Sequence, residues 1–175
     1  MLFRSRYFQQ FGADNVRALV LIDGTPKTTG KDSTKDWAWV GDDNWLSNNQ
    51  SYTTELLTEK REDNMKAFCE WMLEKPTPEQ VRWATDISLQ TPGWIAALTN
   101  ATANNADYED ALKALSQEVH LLFVMGEEHW HPVVDQWIAA NKPTAKSITF
   151  GRHLMFWQRS DEFNIELDKF LKSFE

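Results

Sequence analysis

The 175-residue sequence has one cysteine, Cys69, so no disulfide can form within the chain. It sits in Phe68-Cys69-Glu70-Trp71, a helix-like stretch with no cationic group placed to lower its pKa, and it reads as a buried structural thiol, not a nucleophile. Long apolar runs are missing too. No segment approaches the roughly 18 apolar residues of a membrane span. The apolar part of Met1-Leu2-Phe3-Arg4-Ser5-Arg6-Tyr7-Phe8 is too short for a signal peptide, so the expected compartment is the cytoplasm. Basic residues are in deficit: 18 Lys and Arg against 26 Asp and Glu, a net charge of -8. No basic stripe is present to track phosphates, which excludes nucleic acid as an expected partner. None of the 7 glycines lies in a Gly-x-Ser-x-Gly nucleophile elbow, a Walker-type loop or a Gly-x-Gly-x-x-Gly turn. No internal repeat and no low-complexity tract occurs.

What remains is the composition of an ordinary globular chain, 42% hydrophobic and 25% charged, long enough for a single domain over residues 1–175. The 9 tryptophans are the compositional excess, and most fall outside the apolar runs. Large aromatic side chains bury area and line apolar pockets.

In chain order, Phe3, Tyr7, Phe8 and Phe11 predict an amphipathic helix over 2–11, stopped at Gly12. Val16-Arg17-Ala18-Leu19-Val20-Leu21-Ile22 is a near-continuous apolar run, the signature of a parallel strand covered on both faces. Asp23-Gly24-Thr25-Pro26 ends it with turn chemistry. Residues 27–54 read as loop with short helical turns, anchored by Trp37, Trp39 and Trp45. A helix is expected over 55–73, broken by Lys75-Pro76. Thr77-x-x-Gln80, with Pro78 at the first helical position, predicts a capping box and a helix to about residue 89. Thr91-Pro92-Gly93-Trp94 opens another, to about 103. Residues 27–105 thus form a helical insertion, either a plain helical subdomain or a cap over a site. A short helix over 106–115 leads to a second strand at 119–124. A helix over 133–140, a third strand at 146–150 and a closing helix over 161–174 complete an α/β alternation.

Three constellations carry possible chemistry. His153 follows the third strand in Phe150-Gly151-Arg152-His153-Leu154-Met155-Phe156-Trp157, where a general base can be mounted. A structural histidine capping the turn fits that place equally well. Glu127 and Glu128 follow Gly126 at the end of the second strand; either could accept a proton from the other ring nitrogen of His153, or both could form a solvated acidic pair. Asp23 is the rival acid one strand earlier, and is also a natural turn residue. His129 and His131 could suggest a metal, but a third ligand at a familiar spacing is absent, and no metal or cofactor is expected.

Taken together, the strand at 16–22 with its Asp23-Gly24-Thr25-Pro26 turn, the segment from Asp110 to Gly126, and Gly151-Arg152-His153-Leu154-Met155-Phe156-Trp157 with Glu162-Phe163-Asn164 resemble the α/β-hydrolases. The similarity is to small esterases, lactonases and haloperoxidase-like members, and it covers only the C-terminal half or so of their fold. It implies a partial α/β-hydrolase fold of about three parallel strands flanked by helices, with a helical cap over 27–105. It also implies His153 as general base with Glu128 as its orienting acid, Glu127 and Asp23 as alternatives, and Trp37, Trp39 and Trp130 around a small-molecule pocket. The implied chemistry is serine-type acyl transfer on a small ester, lactone or amide. Two departures stand out. The position three residues after Gly126, usual for the acid, is His129. The elbow and oxyanion loop would lie before Met1. The expectation is therefore a fragment, a truncated product or one part of a split assembly, inactive alone and open to pairing along the strand at 16–22. A non-catalytic ligand-binding or interaction module is the competing expectation.

Overall fold

The computed structural model describes residues 7, 8, 10–27, 45–127 and 132–174. Three strands, β1 (Ala18–Ile22), β2 (His120–Met125) and β3 (Lys146–Thr149), pair in parallel in the order β1-β2-β3. Leu21 lies opposite Phe123, and Val124 opposite Ile148, so the C-terminal ends of all three strands finish on one edge of the sheet.

Side-chain alternation along β2 divides the core. Leu121, Phe123 and Met125 point to one face, where they pack with Leu112 and Leu115 of helix α5 (Glu109–Glu118) and with Val134, Trp137 and Ile138 of α6 (Pro132–Asn141). Phe123 meets Trp137 edge-on, with ring centroids 5.9 Å apart. Leu122 and Val124 point the other way, onto Met155 of the short α7 (Met155–Gln158) and Phe163 and Phe170 of α8 (Ser160–Lys172). The near-continuous apolar run in β2 is thus the consequence of helices on both faces. The end of α8 is anchored back on the start of the sheet: His120 stacks on Phe174 at 4.3 Å, and Arg17 covers the same ring while donating to the Phe174 carbonyl.

Among the described residues between β1 and α5 lie four further helices, α1 (Trp45–Glu55), α2 (Arg61–Met72), α3 (Pro78–Leu89) and α4 (Gly93–Asn104). They have a core of their own, with Leu56, Met65, Cys69, Ala84 and Ala97 at its centre. The capping box at Thr77 forms as its residues dictate. The Thr77 hydroxyl accepts from the Gln80 N–H, and the Gln80 side chain accepts from the Thr77 N–H. Such a cap stabilises a helix by about 1 kcal/mol.

The helical segment differs from the sequence expectation at two places. Residues 45–55 are a regular helix, not loop, and the helix expected over 55–73 begins only at Arg61. The interruption is made by Thr58, whose hydroxyl donates to the Glu55 carbonyl and accepts from the Lys60 N–H. A local side-chain bond of this kind offers the backbone an alternative to the helix. Elsewhere α5 runs three residues later than expected at each end, over Glu109–Glu118, and α7 was not anticipated. Gly12 ends an N-terminal helical turn with φ +69°, its N–H donating to the Phe8 carbonyl at 2.9 Å. Residues 1–6 of that expected helix lie outside the described residues.

Candidate active site

Parallel strands in register deliver their C-terminal loops to one place. Here β1 delivers Asp23, β2 delivers Gly126 and Glu127, and β3 delivers Phe150 to His153. Backbone bonds tie the three loops together: Asp23 N–H to Val124 carbonyl at 2.7 Å, Phe150 N–H to Met125 carbonyl at 3.1 Å, and Glu127 N–H to Gly151 carbonyl at 2.9 Å.

Asp23 is the carboxylate that meets the histidine. Its side chain is fully buried, and Oδ2 lies 2.8 Å from Nδ1 of His153, whose own side chain is about one-third exposed. The other oxygen, Oδ1, accepts from the Gly126 N–H at 2.8 Å. The Asp23 backbone takes the left-handed conformation, with φ +42°, which Asp tolerates better than most residues and which turns its side chain over the end of β2. Two glycines make the room. A Cβ at Gly126 would sit 3.2 Å from Oδ1 of Asp23. Gly151, at φ +63°, turns the chain sharply before the histidine, and a Cβ there would sit 3.2 Å from Cβ of Met155.

A carboxylate can only accept, so the ring proton in this pair sits on Nδ1 of His153, and Nε2 is the nitrogen with basic character. That arrangement fixes the tautomer and stabilises an imidazolium when Nε2 takes a proton.

Of the other expected site residues, Glu127 is exposed and contributes its backbone N–H to the Gly151 turn. Glu128, the acid favoured on sequence, and Trp37, Trp39 and Trp130, the expected pocket walls, lie outside the described residues, as do His129 and His131. Among the described residues no three His, Cys, Asp or Glu side chains gather as metal ligands, and no helix is long and apolar enough to cross a membrane. Cys69 is buried in the helical core, 3.9 Å from the Ser88 hydroxyl.

The residues that surround the histidine turn are not among the candidates from sequence. Trp71, at the end of α2, lies near-parallel to the His153 ring at 6.5 Å. The last carbonyls of a helix lack partners within it, and here the turn supplies them: Arg152 Nη1 donates to the Trp71 carbonyl at 3.1 Å and to the Leu73 carbonyl at 3.4 Å, and the Leu154 N–H to the Met72 carbonyl at 3.3 Å. Glu74 and Arg159 form a two-pronged ion pair, at 2.8 and 2.7 Å. Hydrogen bonding from Arg159 holds the Glu74 carboxyl below its usual range, and the Glu74 bonds in turn raise Arg159. The signal available in the sequence was the helix end before Lys75-Pro76, which needs a donor; nothing local says that the donor lies about 80 residues downstream. Beside the turn, Met72, Trp83, Ile87, Leu154, Phe156 and Trp157 line an apolar cavity of about 400 Å³.

No family model matches the sequence, and no curated protein matches it. Solved structures do. An esterase from Exiguobacterium antarcticum is 18% identical with a TM-score of 0.72, the match covering 96% of this chain and 62% of that one. A bromoperoxidase from Bacillus anthracis has the same identity and coverages with a TM-score of 0.75. An enol-lactonase from Burkholderia xenovorans is 14% identical with a TM-score of 0.72, covering 95% of this chain and 60% of that one. At these identities the likeness carries the fold: the chain has the α/β-hydrolase fold in part, spanning about three-fifths of the length of each neighbour.

Proposed function

We propose that this chain is the histidine- and acid-bearing part of an α/β-hydrolase that acts on a small ester, lactone or amide by serine-type acyl transfer. His153 is the general base and Asp23 the acid that orients it. The helical segment is the cap over the site, and Trp37, Trp39 and Trp130 contribute to the pocket. The observation that carries this reading is the 2.8 Å contact between Nδ1 of His153 and the fully buried carboxylate of Asp23, at the C-terminal edge of a parallel sheet. A histidine that merely capped its turn would not need a buried acid from a strand 130 residues earlier. The neighbours named for esterase and enol-lactonase activity agree with the substrate class.

In acyl transfer the base takes the proton of a serine hydroxyl as that oxygen attacks the carbonyl carbon, then returns it to the leaving group. The sequence contains no Gly-x-Ser-x-Gly, so this reading assigns the nucleophile and the oxyanion donors to residues outside these 175. The test has two arms. The 175-residue chain is assayed with p-nitrophenyl acetate and a small lactone, and no turnover is expected; turnover abolished by His153→Ala would place a nucleophile within these residues. The coding DNA ahead of Met1 is read in frame, where a Gly-x-Ser-x-Gly is expected; its absence there would count against serine chemistry.

The apolar cavity beside the turn favours a second reading, a ligand-binding module without turnover. Tryptophan fluorescence titration with an apolar ester that is bound but never cleaved, and bound equally by His153→Ala, would favour that reading over the first.

A further inference from the structure

The geometry points to Glu74 as a positioning residue that acts through Arg159 to hold the turn carrying His153 in its Asp23-facing conformation. This rests on the reading of His153 and Asp23 as base and acid.

The end of α2 converges on the histidine turn. Each of the residues 71–74, where the chain leaves α2, makes a contact to the histidine turn or the short helix after it. Trp71 faces the His153 ring, the carbonyls of Trp71, Met72 and Leu73 receive donors from Arg152 and Leu154, and Glu74 makes the largest set. The Glu74 N–H donates to Oε1 of Gln158 at 2.7 Å, and the Gln158 amide donates back to the Glu74 carbonyl at 3.0 Å. Both oxygens of the Glu74 carboxylate are taken by the Arg159 fork.

Arg159 in turn touches the glycine of the turn. Its Cδ and Nε lie 3.5 Å from where a Gly151 Cβ would be, so its stem lies against the glycine that turns the chain toward His153. Its backbone N–H donates to the Met155 carbonyl at 2.8 Å, closing α7. Glu74 thus fixes a guanidinium whose stem, together with Met155, crowds the glycine of the turn. An isolated exposed ion pair contributes little. This one is two-pronged, about two-thirds buried and joined to a reciprocal amide pair, the geometry in which an Arg–carboxylate contact adds orientation. The Trp71, Met72 and Leu73 carbonyls hold the turn through Arg152 and Leu154, and the fork adds a second, charged anchor at Arg159.

The test reads the His153 ring itself, in the full 175-residue chain labelled with ¹⁵N-histidine. The His153 ring signal is assigned with His153→Gln, and the hydrogen exchange rate of its Nδ1 proton is measured well below the unfolding temperature. Asp23→Asn serves as the control for the pair. Glu74→Gln and Arg159→Lys, each of which removes the fork while keeping side-chain length, are expected to speed exchange by about tenfold, as local opening of the turn becomes more frequent. Glu74→Asp, which keeps the carboxylate, is expected to recover part of the protection. A purely structural ion pair would lower the unfolding temperature of Glu74→Gln and leave the exchange rate unchanged, and that result would overturn the proposal. If Asp23→Asn leaves the ring signal unaltered, the base–acid reading falls, and the proposal with it. If Asp23→Asn moves the signal while neither fork variant does, the positioning role alone is wrong. Should Arg159→Lys fail to fold, Glu74→Gln decides.

Discussion

Asp23 is the residue on which the site can be tested most directly, because three physical terms meet there and substitutions separate them. Its carboxylate accepts from the Gly126 N–H and from His153, both at 2.8 Å, and its backbone holds φ +42°. In Asp23→Asn the amide oxygen is expected to stay on the Gly126 N–H, because only an acceptor fits there. The amide nitrogen then faces Nδ1 of His153 as a donor, and the ring must move its proton to Nε2. Hydrogen bonds to an ionised group are about twice as strong as neutral ones, so the stability cost is about 1–2 kcal/mol. Asp23→Ala removes both bonds and leaves the buried Gly126 N–H without its acceptor. The expected cost is about 3–5 kcal/mol, the loss of two hydrogen bonds to an ionised group together with an unsatisfied buried donor. Asp23→Gly loses the same bonds but relieves the left-handed backbone, and should be about 1 kcal/mol more stable than the alanine variant. Urea unfolding followed by tryptophan fluorescence gives the order: wild type, Asn, Gly, Ala. Histidine ¹⁵N spectra give the tautomer, expected to reverse in Asp23→Asn alone. An alanine variant as stable as the asparagine variant, or an unchanged tautomer in Asp23→Asn, would refute the geometry.

Two further predictions follow from the same neighbourhood. Gly126→Ala places a methyl group 3.2 Å from Oδ1 of Asp23; overpacking of this kind is expected to cost about 1–3 kcal/mol, and His153 should lose exchange protection even where the variant is fully folded by circular dichroism. The Glu74 carboxyl is held below its usual range by Arg159, so its contribution to stability is present above the unfolded-state carboxylate pKa and is lost as pH falls through the lower folded-state value. The stability difference between wild type and Glu74→Gln should be constant above about pH 5 and shrink on acidification; a difference that grows in acid would show that the sign is wrong.

The sheet was legible because its signal is local and strong. Two apolar runs, at 16–22 and 119–124, each followed by a turn, mark parallel strands covered on both faces, and the packing of Leu121 and Leu122 on opposite sides shows why they do not alternate; the shorter β3, Lys146–Thr149, is mixed in polarity. The capping box at Thr77 was equally legible, since all its atoms lie within four residues. Helix α1 was not, and the reason is physical. Its sequence is polar, with Asn, Ser and Thr residues that favour turns in isolation. It is held by distant polar partners: the Asn100 amide donates to Thr53 at 2.6 Å and to Asn49 at 3.3 Å, and the Asn104 amide also donates to Asn49. Polar bonding between α1 and α4, some 50 residues apart, adds to the packing of Tyr52 on the helical core, and no periodicity reveals it. The break at Thr58 was hidden for the opposite reason: neither Gly nor Pro marks it, and a hydroxyl makes it.

Which carboxylate meets His153 shows where sequence reasoning stops. Asp23, Glu127 and Glu128 all follow strands, and the distance along the chain does not rank them. Adjacent strands lie about 4.8 Å apart, so Asp23 at the end of β1 starts roughly two strand spacings from the end of β3. An aspartate side chain cannot span that. The contact exists because the two chains meet above β2. Asp23 leans over it from one side through its left-handed backbone, and Gly151 folds the β3 loop back over it from the other. Glu127 and Met125 pin that loop through backbone bonds to Gly151 and Phe150, and Gly126 contributes an N–H where any side chain would crowd the carboxylate. The middle strand thus serves the pair by what it lacks. Gly126 in the sequence marks the end of a strand; only the strand order, with β2 between the other two, turns that glycine into the floor on which Asp23 and His153 meet.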